Sequence, residues 1–224
     1  MVVLSTLAGG YFTFFILATS WRAHSNYSSN VQSILSKIIL PNCIWRPGEA
    51  NATVRKAALL CLERLLNALS KQKAIEETGL SAGTDYNSDF DCCKMCHNVV
   101  AAIKGAINDD WAPGNREMAC YVTSALLDCK QTNYFSNVDL TSFIDELSPE
   151  LFKRLDDAED DVRVAACNTI SKMCSALPQA YRNNTKSIAL AVKSLSVHAN
   201  DSNLAVSEAA ANALKSVAES NALV

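Results

Sequence analysis

Glycine and proline are scarce in this chain, at 7 and 5 of 224 residues. A many-stranded sandwich or barrel needs frequent turn punctuation, so the scarcity argues against one. Histidine is scarcer still. His24, His97 and His198 stand far apart, and no G-x-S-x-G, H-E-x-x-H or glycine-rich phosphate loop occurs. No nucleophile, base and oxyanion donor assemble, which predicts a non-enzyme with no cofactor. A net charge of −3 without a basic stripe argues against nucleic acid as a partner. Residues 1–21, MVVLSTLAGGYFTFFILATSW, contain no charged side chain. A secretory signal wants a basic start, and none is present before Arg22. A membrane span wants about 20 continuous apolar residues, and Ser5, Thr6, Gly9, Gly10 and Thr13 interrupt this run. The expectation is an apolar N-terminal segment over 1–29, a helix or partial repeat, and no membrane partner.

What is abundant points to helix. Apolar residues make up 49% of the chain, and alanine and leucine lead a helix-forming composition. Four stretches share one helical spacing. In 51–66 the apolar face carries Val54, Ala58, Cys61, Leu62 and Leu65; in 160–177 it carries Val162, Ala166, Thr169, Ile170, Met173 and Leu177. In 203–218 it carries Val206, Ala210, Ala213, Leu214 and Val217. A weaker copy, 114–127, falls in register if Asn115 takes the valine position. The starts at 54, 115, 162 and 206 lie 61, 47 and 44 residues apart. The last two spacings match the HEAT or armadillo period of about 40–47 residues. The first is longer, which predicts an insertion loop at about 72–90. Each stretch reads as the second (B) helix of a hairpin. The first (A) helices are expected over 30–40, stopping before Pro41, over 91–107, over 139–155 with a kink or break near Ser148 ahead of Pro149, and over 185–197. The predicted fold is an all-α superhelix of about four helical hairpins spanning 30–224.

The segment SPELFKRLDDAEDDVRVAA (148–166) resembles the HEAT repeat. Pro149, Leu151 and Leu155 lie on its A helix, followed by Asp157, Asp161, Val162, Arg163 and Ala166. Val54, Arg55 and Ala58, and Val206 and Ala210, repeat parts of that motif. In HEAT arrays the aspartate caps the B helix or contacts the arginine, forming a ladder. Here the first copy has Arg55 with no nearby aspartate, and the last has Asp201 with Ser207 in the arginine position. An incomplete ladder is therefore expected. The segment 38–66, with its L-P-N-x-x-W-x-x-G run around Trp45 and Gly48, together with 146–170, resembles the C-terminal HEAT repeats of the axonemal dynein assembly-factor family. That resemblance implies a cytoplasmic scaffold, associated with motile cilia, that helps preassemble outer and inner dynein arms. It also implies dynein chains, chaperones and other assembly factors as partners. A HEAT scaffold of another complex is the alternative.

Cysteine supplies the remaining chemistry. Nine cysteines cannot all pair within one chain, and most fall inside apolar helical patterns, which points to a reducing compartment. The run DCCKMCH (91–97) spells C-x-x-C-H, the pattern of covalent haem attachment, and so admits a secreted c-type haem protein as a remote alternative. On a helix, Cys93 and Cys96 share one face, which predicts thiols packed against the next B helix, Asp91 as N-cap and His97 toward the margin. Cys92, Cys93, Cys96 and His97 sit too close along one helix to surround a zinc ion tetrahedrally. Asp85 to Asp91 imitates the start of a calcium loop, but Phe90 and Cys96 stand where glycine and glutamate are needed. The array's partner contacts are expected on exposed residues of 55–64, 116–124, 163–171 and 207–215.

Overall fold

The computed structural model describes residues 32–77, 92–131, 137–178 and 186–222. All of the described secondary structure is helical. A helical stretch over 32–43 ends in a π-turn at Leu35–Ile39 and a short helix, α1 (Leu40–Cys43). The others are α2 (Glu49–Glu77), α3 (Cys92–Ile107), α4 (Pro113–Gln131), α5 (Asn137–Lys153), α6 (Asp160–Ala176), α7 (Lys186–His198) and α8 (Leu204–Ala222). They stack as four hairpins in two layers. The A layer runs α1, α3, α5, α7, and the B layer α2, α4, α6, α8, each helix touching its neighbours in the row. The B helices pack most closely on one another.

Two helix ends differ from the sequence expectation. The first A helix runs past Pro41 to Cys43, because the π-turn shifts the hydrogen-bond register where proline offers no donor. Pro149 does not break α5, which continues to Lys153 and a 3₁₀ turn at Arg154–Asp156. The ring lies on the exposed side, and the carbonyl it orphans belongs to exposed Asp145, within reach of water. α2 also continues to Glu77, so the first part of the expected insertion loop is helix. Residues 78–91, Asp91 included, lie outside the described residues, as do 1–31.

A single core fills the space between the layers. Leu59, Leu62, Ile103, Ile107, Leu126, Leu127, Leu147 and Leu151 are all at most 1% exposed. Hydroxyls and thiols then tie B helix to B helix. Thr169 Oγ1 in α6 lies 3.1 Å from the Cys120 carbonyl oxygen and 3.0 Å from Ser124 Oγ, both in α4. Cys129 Sγ donates to the Leu66 carbonyl oxygen across to α2 at 3.0 Å. Gly48, with φ +96°, makes the turn into α2, and its carbonyl accepts from the Ala52 N–H at 3.0 Å. Each A-to-B turn lies on the same edge of the stack, and that edge holds most of the buried charge.

Candidate functional site

Three arginines project from the first two turns of α2, α4 and α6, and each reaches the turn of the following hairpin. Arg55 donates through Nε to Asp109 Oδ2 at 2.8 Å, and its Nη2 also meets that oxygen. Arg116 grips Asp157 with two bonds, Nε to Oδ2 at 2.8 Å and Nη2 to Oδ1 at 2.7 Å. Arg163 Nη2 lies 3.4 Å from Asp201 Oδ1. Each guanidinium also donates back through Nη1 to its own turn: to the carbonyl oxygens of Arg46 at 3.1 Å, Asp109 at 2.8 Å and Asp157 at 3.0 Å. Each aspartate Oδ1 accepts the backbone N–H two residues on, from Trp111, Glu159 and Asn203, which shapes the entry to the next B helix. One motif, used three times, welds turn to helix to next turn.

The rungs weaken along the chain. Arg55 and Asp109 are 1% and 0% exposed, Arg116 and Asp157 8% and 6%. Arg163 is only half-buried and shares its charge with exposed Asp160. Burial alone pushes the Asp109 and Asp157 carboxyls up. Hydrogen bonds from Asn115, Arg55 and the Trp111 N–H outweigh it at Asp109, and from Arg116 and the Glu159 N–H at Asp157, so both sit below the usual carboxylate range. A depressed folded pKa stabilises the fold above the unfolded carboxylate's pKa of about 3.9 and is lost as pH falls through the folded value. The melting temperature, followed by circular dichroism, should therefore hold from about pH 7 to 5 and fall steeply below about pH 4. A melt unchanged down to about pH 2 would show that the rungs add nothing.

The expected motif residues fall as follows. Arg55, Asp157 and Arg163 are in the ladder. Ala58, Leu151, Val162, Ala166, Val206 and Ala210 are buried, and Pro149 is exposed. Val54 is 44% exposed, against the expectation of an apolar-face residue. The same position in α4, α6 and α8, held by Asn115, Val162 and Val206, is at most 1% exposed. That position faces the preceding B helix, and α2 has none among the described residues. Asp161 is exposed and outside the ladder. The expected gap at Arg55 is corrected, since its aspartate, Asp109, comes from the next hairpin, while Ser207 still leaves the last copy without an arginine. Sequence reasoning passed over Asp109 and Arg116, and placed Asn115 only as the stand-in for valine. Asn115 is fully buried and donates to Asp109 Oδ2 at 2.8 Å and to the Ala52 carbonyl oxygen at 3.3 Å, sewing α4 to α2. The signal was available: Asp109 precedes Arg116 by seven residues, as Asp157 precedes Arg163 by six.

The ladder edge borders the outer face of the B helices, where Lys56, Arg64, Tyr121, Asn168, Asn212 and Lys215 are exposed. A shallow cleft of about 580 Å³ opens between α2 and α4, lined by Lys56, Leu60, Met118 and Trp111 among others. Trp111 is 69% exposed. Burial pushes the thiols of Cys43 and Cys120 up to about 12 and that of Cys167 to about 11, so they stay protonated and unreactive. Among the described residues no group of three or more His, Cys, Asp or Glu converges as a metal site. The side chains of Cys92, Cys93 and Cys96 lie outside the described residues, and His97 is exposed on α3.

Residues 147–177, which contain the middle rung's aspartate and all of α6, match the HEAT repeat family. Over that stretch the chain carries a HEAT repeat. It is similar to dynein axonemal assembly factor 5 from Xenopus laevis, at 29% identity over 157 residues, covering 69% of this chain and 16% of the relative. The mouse and human proteins of that name are 23% and 24% identical over 199 and 200 residues, covering 86% and 87% of this chain and 20% of each relative. This chain thus spans a fifth or less of the length of the curated relatives it matches. No solved structure matches it. No helix among the described residues of this HEAT array is long and apolar enough to cross a membrane.

Proposed function

We propose that this HEAT array is a non-enzymatic scaffold in the cytoplasmic preassembly of outer and inner axonemal dynein arms, holding dynein chains together with chaperones and other assembly factors. The observation that carries the reading is the similarity across most of the chain to three proteins named for axonemal dynein assembly. The architecture supports it physically. Buried rungs hold α2, α4 and α6 in fixed register, so their outer residues form one surface over three hairpins. A broad, preorganised surface binds a large partner without losing affinity to its own ordering. Exposed Tyr121 at the centre of that surface is the type of residue that anchors such contacts.

Affinity capture with the tagged chain from multiciliated cells tests the reading. Dynein heavy or intermediate chains should be enriched, and Tyr121→Glu should reduce their recovery while leaving the melt unchanged. Recovery of a different complex, with no dynein subunit or chaperone, would overturn the dynein reading and leave a HEAT scaffold for another assembly.

A further inference from the structure

The cleft between α2 and α4 departs from the repeat, and its lining says what would fill it. Its two walls pack directly on each other. The ladder fixes which positions correspond one hairpin on. Trp111 and Glu159 each donate a backbone N–H to the aspartate two residues earlier, so they are equivalent. Arg116 and Arg163 are equivalent too, which sets Gly114 against Asp161 and Met118 against Ala165. Counted from Arg55, Lys56 and Leu60 of α2 match Glu117 and Tyr121 of α4. Between α4 and α6 these positions therefore supply three carboxylates and a phenol. Between α2 and α4 they supply an indole, a leucine, a thioether and one ammonium. Trp111 is 69% exposed, although a large apolar side chain in water gains nothing for the fold.

Gly114 makes room for the ammonium. A Cβ there would stand 2.6 Å from Lys56 Nζ and 3.2 Å from its Cε, so the lysine chain lies in space that a larger residue would take. Among the described residues Lys56 makes no ion pair. The first turn of α4 has no acidic residue, where that of α6 has Asp160 and Asp161. Glu49, on the same wall, is seven residues and so about 10 Å away along the helix axis. A cation thus stands beside an apolar cleft with no described carboxylate against it. We propose that this cleft docks a segment of a protein partner, which sets an apolar side chain against Trp111, Leu60 and Met118 and an adjacent aspartate or glutamate on Lys56. Small-molecule sites enclose most of their ligand. This cleft is shallow and open, so it suits a side chain held in place by a larger body, and tryptophan is the residue type that most often anchors such contacts. Such a site rests on the scaffold reading and is indifferent to which assembly the scaffold serves.

A displayed library of random peptides, selected on the full 224-residue chain, is the probe. Enriched peptides should carry an aromatic or leucine side chain next to an aspartate or glutamate, with dissociation constants below about 100 μM. Trp111→Ala should weaken them by at least about tenfold. Lys56→Glu should weaken them about tenfold, and selection on that variant should enrich lysine or arginine in place of the acid. Both side chains are exposed, so neither change should move the melt. An absence of binders, binders that either variant leaves unchanged, or enriched peptides without an acid overturn the site. Its failure is separable from that of the scaffold. No binders, with cellular partners captured as well by Lys56→Glu as by wild type, overturns the cleft alone. Binders of the expected kind, with no complex captured from cells, support the cleft and overturn the scaffold.

Discussion

Arg55→Ala is expected to destabilise the first two hairpins by about 3–5 kcal/mol, the usual loss when one partner of a buried ion pair is removed. The reason lies in what remains. Asp109 is 0% exposed, and its oxygens would keep Asn115 and the Trp111 N–H but no cation. Arg55 also satisfies the Arg46 carbonyl, so the turn into α2 loses a bond as well. At about 2–4 °C per kcal/mol for a chain of this size, the melting midpoint should drop by about 10 °C. A simple packing defect would give the same loss at every pH. A stranded carboxylate would not. In the variant Asp109 loses the part of its lowered pKa that Arg55 supplies, so the deficit is full at neutral pH and shrinks below about pH 4, where the wild-type rung is itself lost. Hydrogen exchange should localise the loss to α2, α4 and the turn between α3 and α4, since in a solenoid each repeat leans on its neighbours. A variant that melts within about 1 °C of wild type would mean the buried pair nets nothing, as some buried pairs do.

The fold was legible because its signal is periodic. Apolar residues at helical spacing set all four B helices, and their separations revealed the repeat. Capping and proline effects were less legible because they depend on neighbours. Pro41 reads as a stop, but a π-turn before it removes the conflict. Pro149 reads as a break, but its orphaned carbonyl faces outward. The ladder was half legible. Arg55, Asp157 and Arg163 stood out, but the natural pairing within a copy is the wrong one, because the arginine of one hairpin meets the aspartate of the next. That choice also hid Asp109, whose turn carries no other HEAT signature. Val54 shows the same limit from the other side. Its motif position is buried in each later B helix and exposed here, because a motif specifies a face and stacking decides whether the face is covered.

Asp157→Ala separates the ladder from the motif most clearly. Asp157 takes two bonds from Arg116 and one from Arg154 Nη1 at 3.0 Å, and it caps the turn through the Glu159 N–H. Removing its carboxylate leaves two guanidinium groups without their shared anion, one of them 8% exposed. The expected loss is about 2–4 kcal/mol, less than at Arg55 because Arg116 keeps its bond to the Asp109 carbonyl and lies close enough to the surface to recruit water. Asp161→Ala, four residues on, should change stability by under about 0.5 kcal/mol, since an exposed first-turn carboxylate offers only a dipole contribution. Asp201→Ala should cost less than Asp157→Ala, because it gives up the cap on the Asn203 N–H but its partner Arg163 is half-buried at 3.4 Å and keeps Asp160. Urea denaturation of the three variants gives the order directly. Equal losses at Asp157 and Asp161 would mean that acidic charge ahead of α6, and not the inter-hairpin rung, is what stabilises this turn.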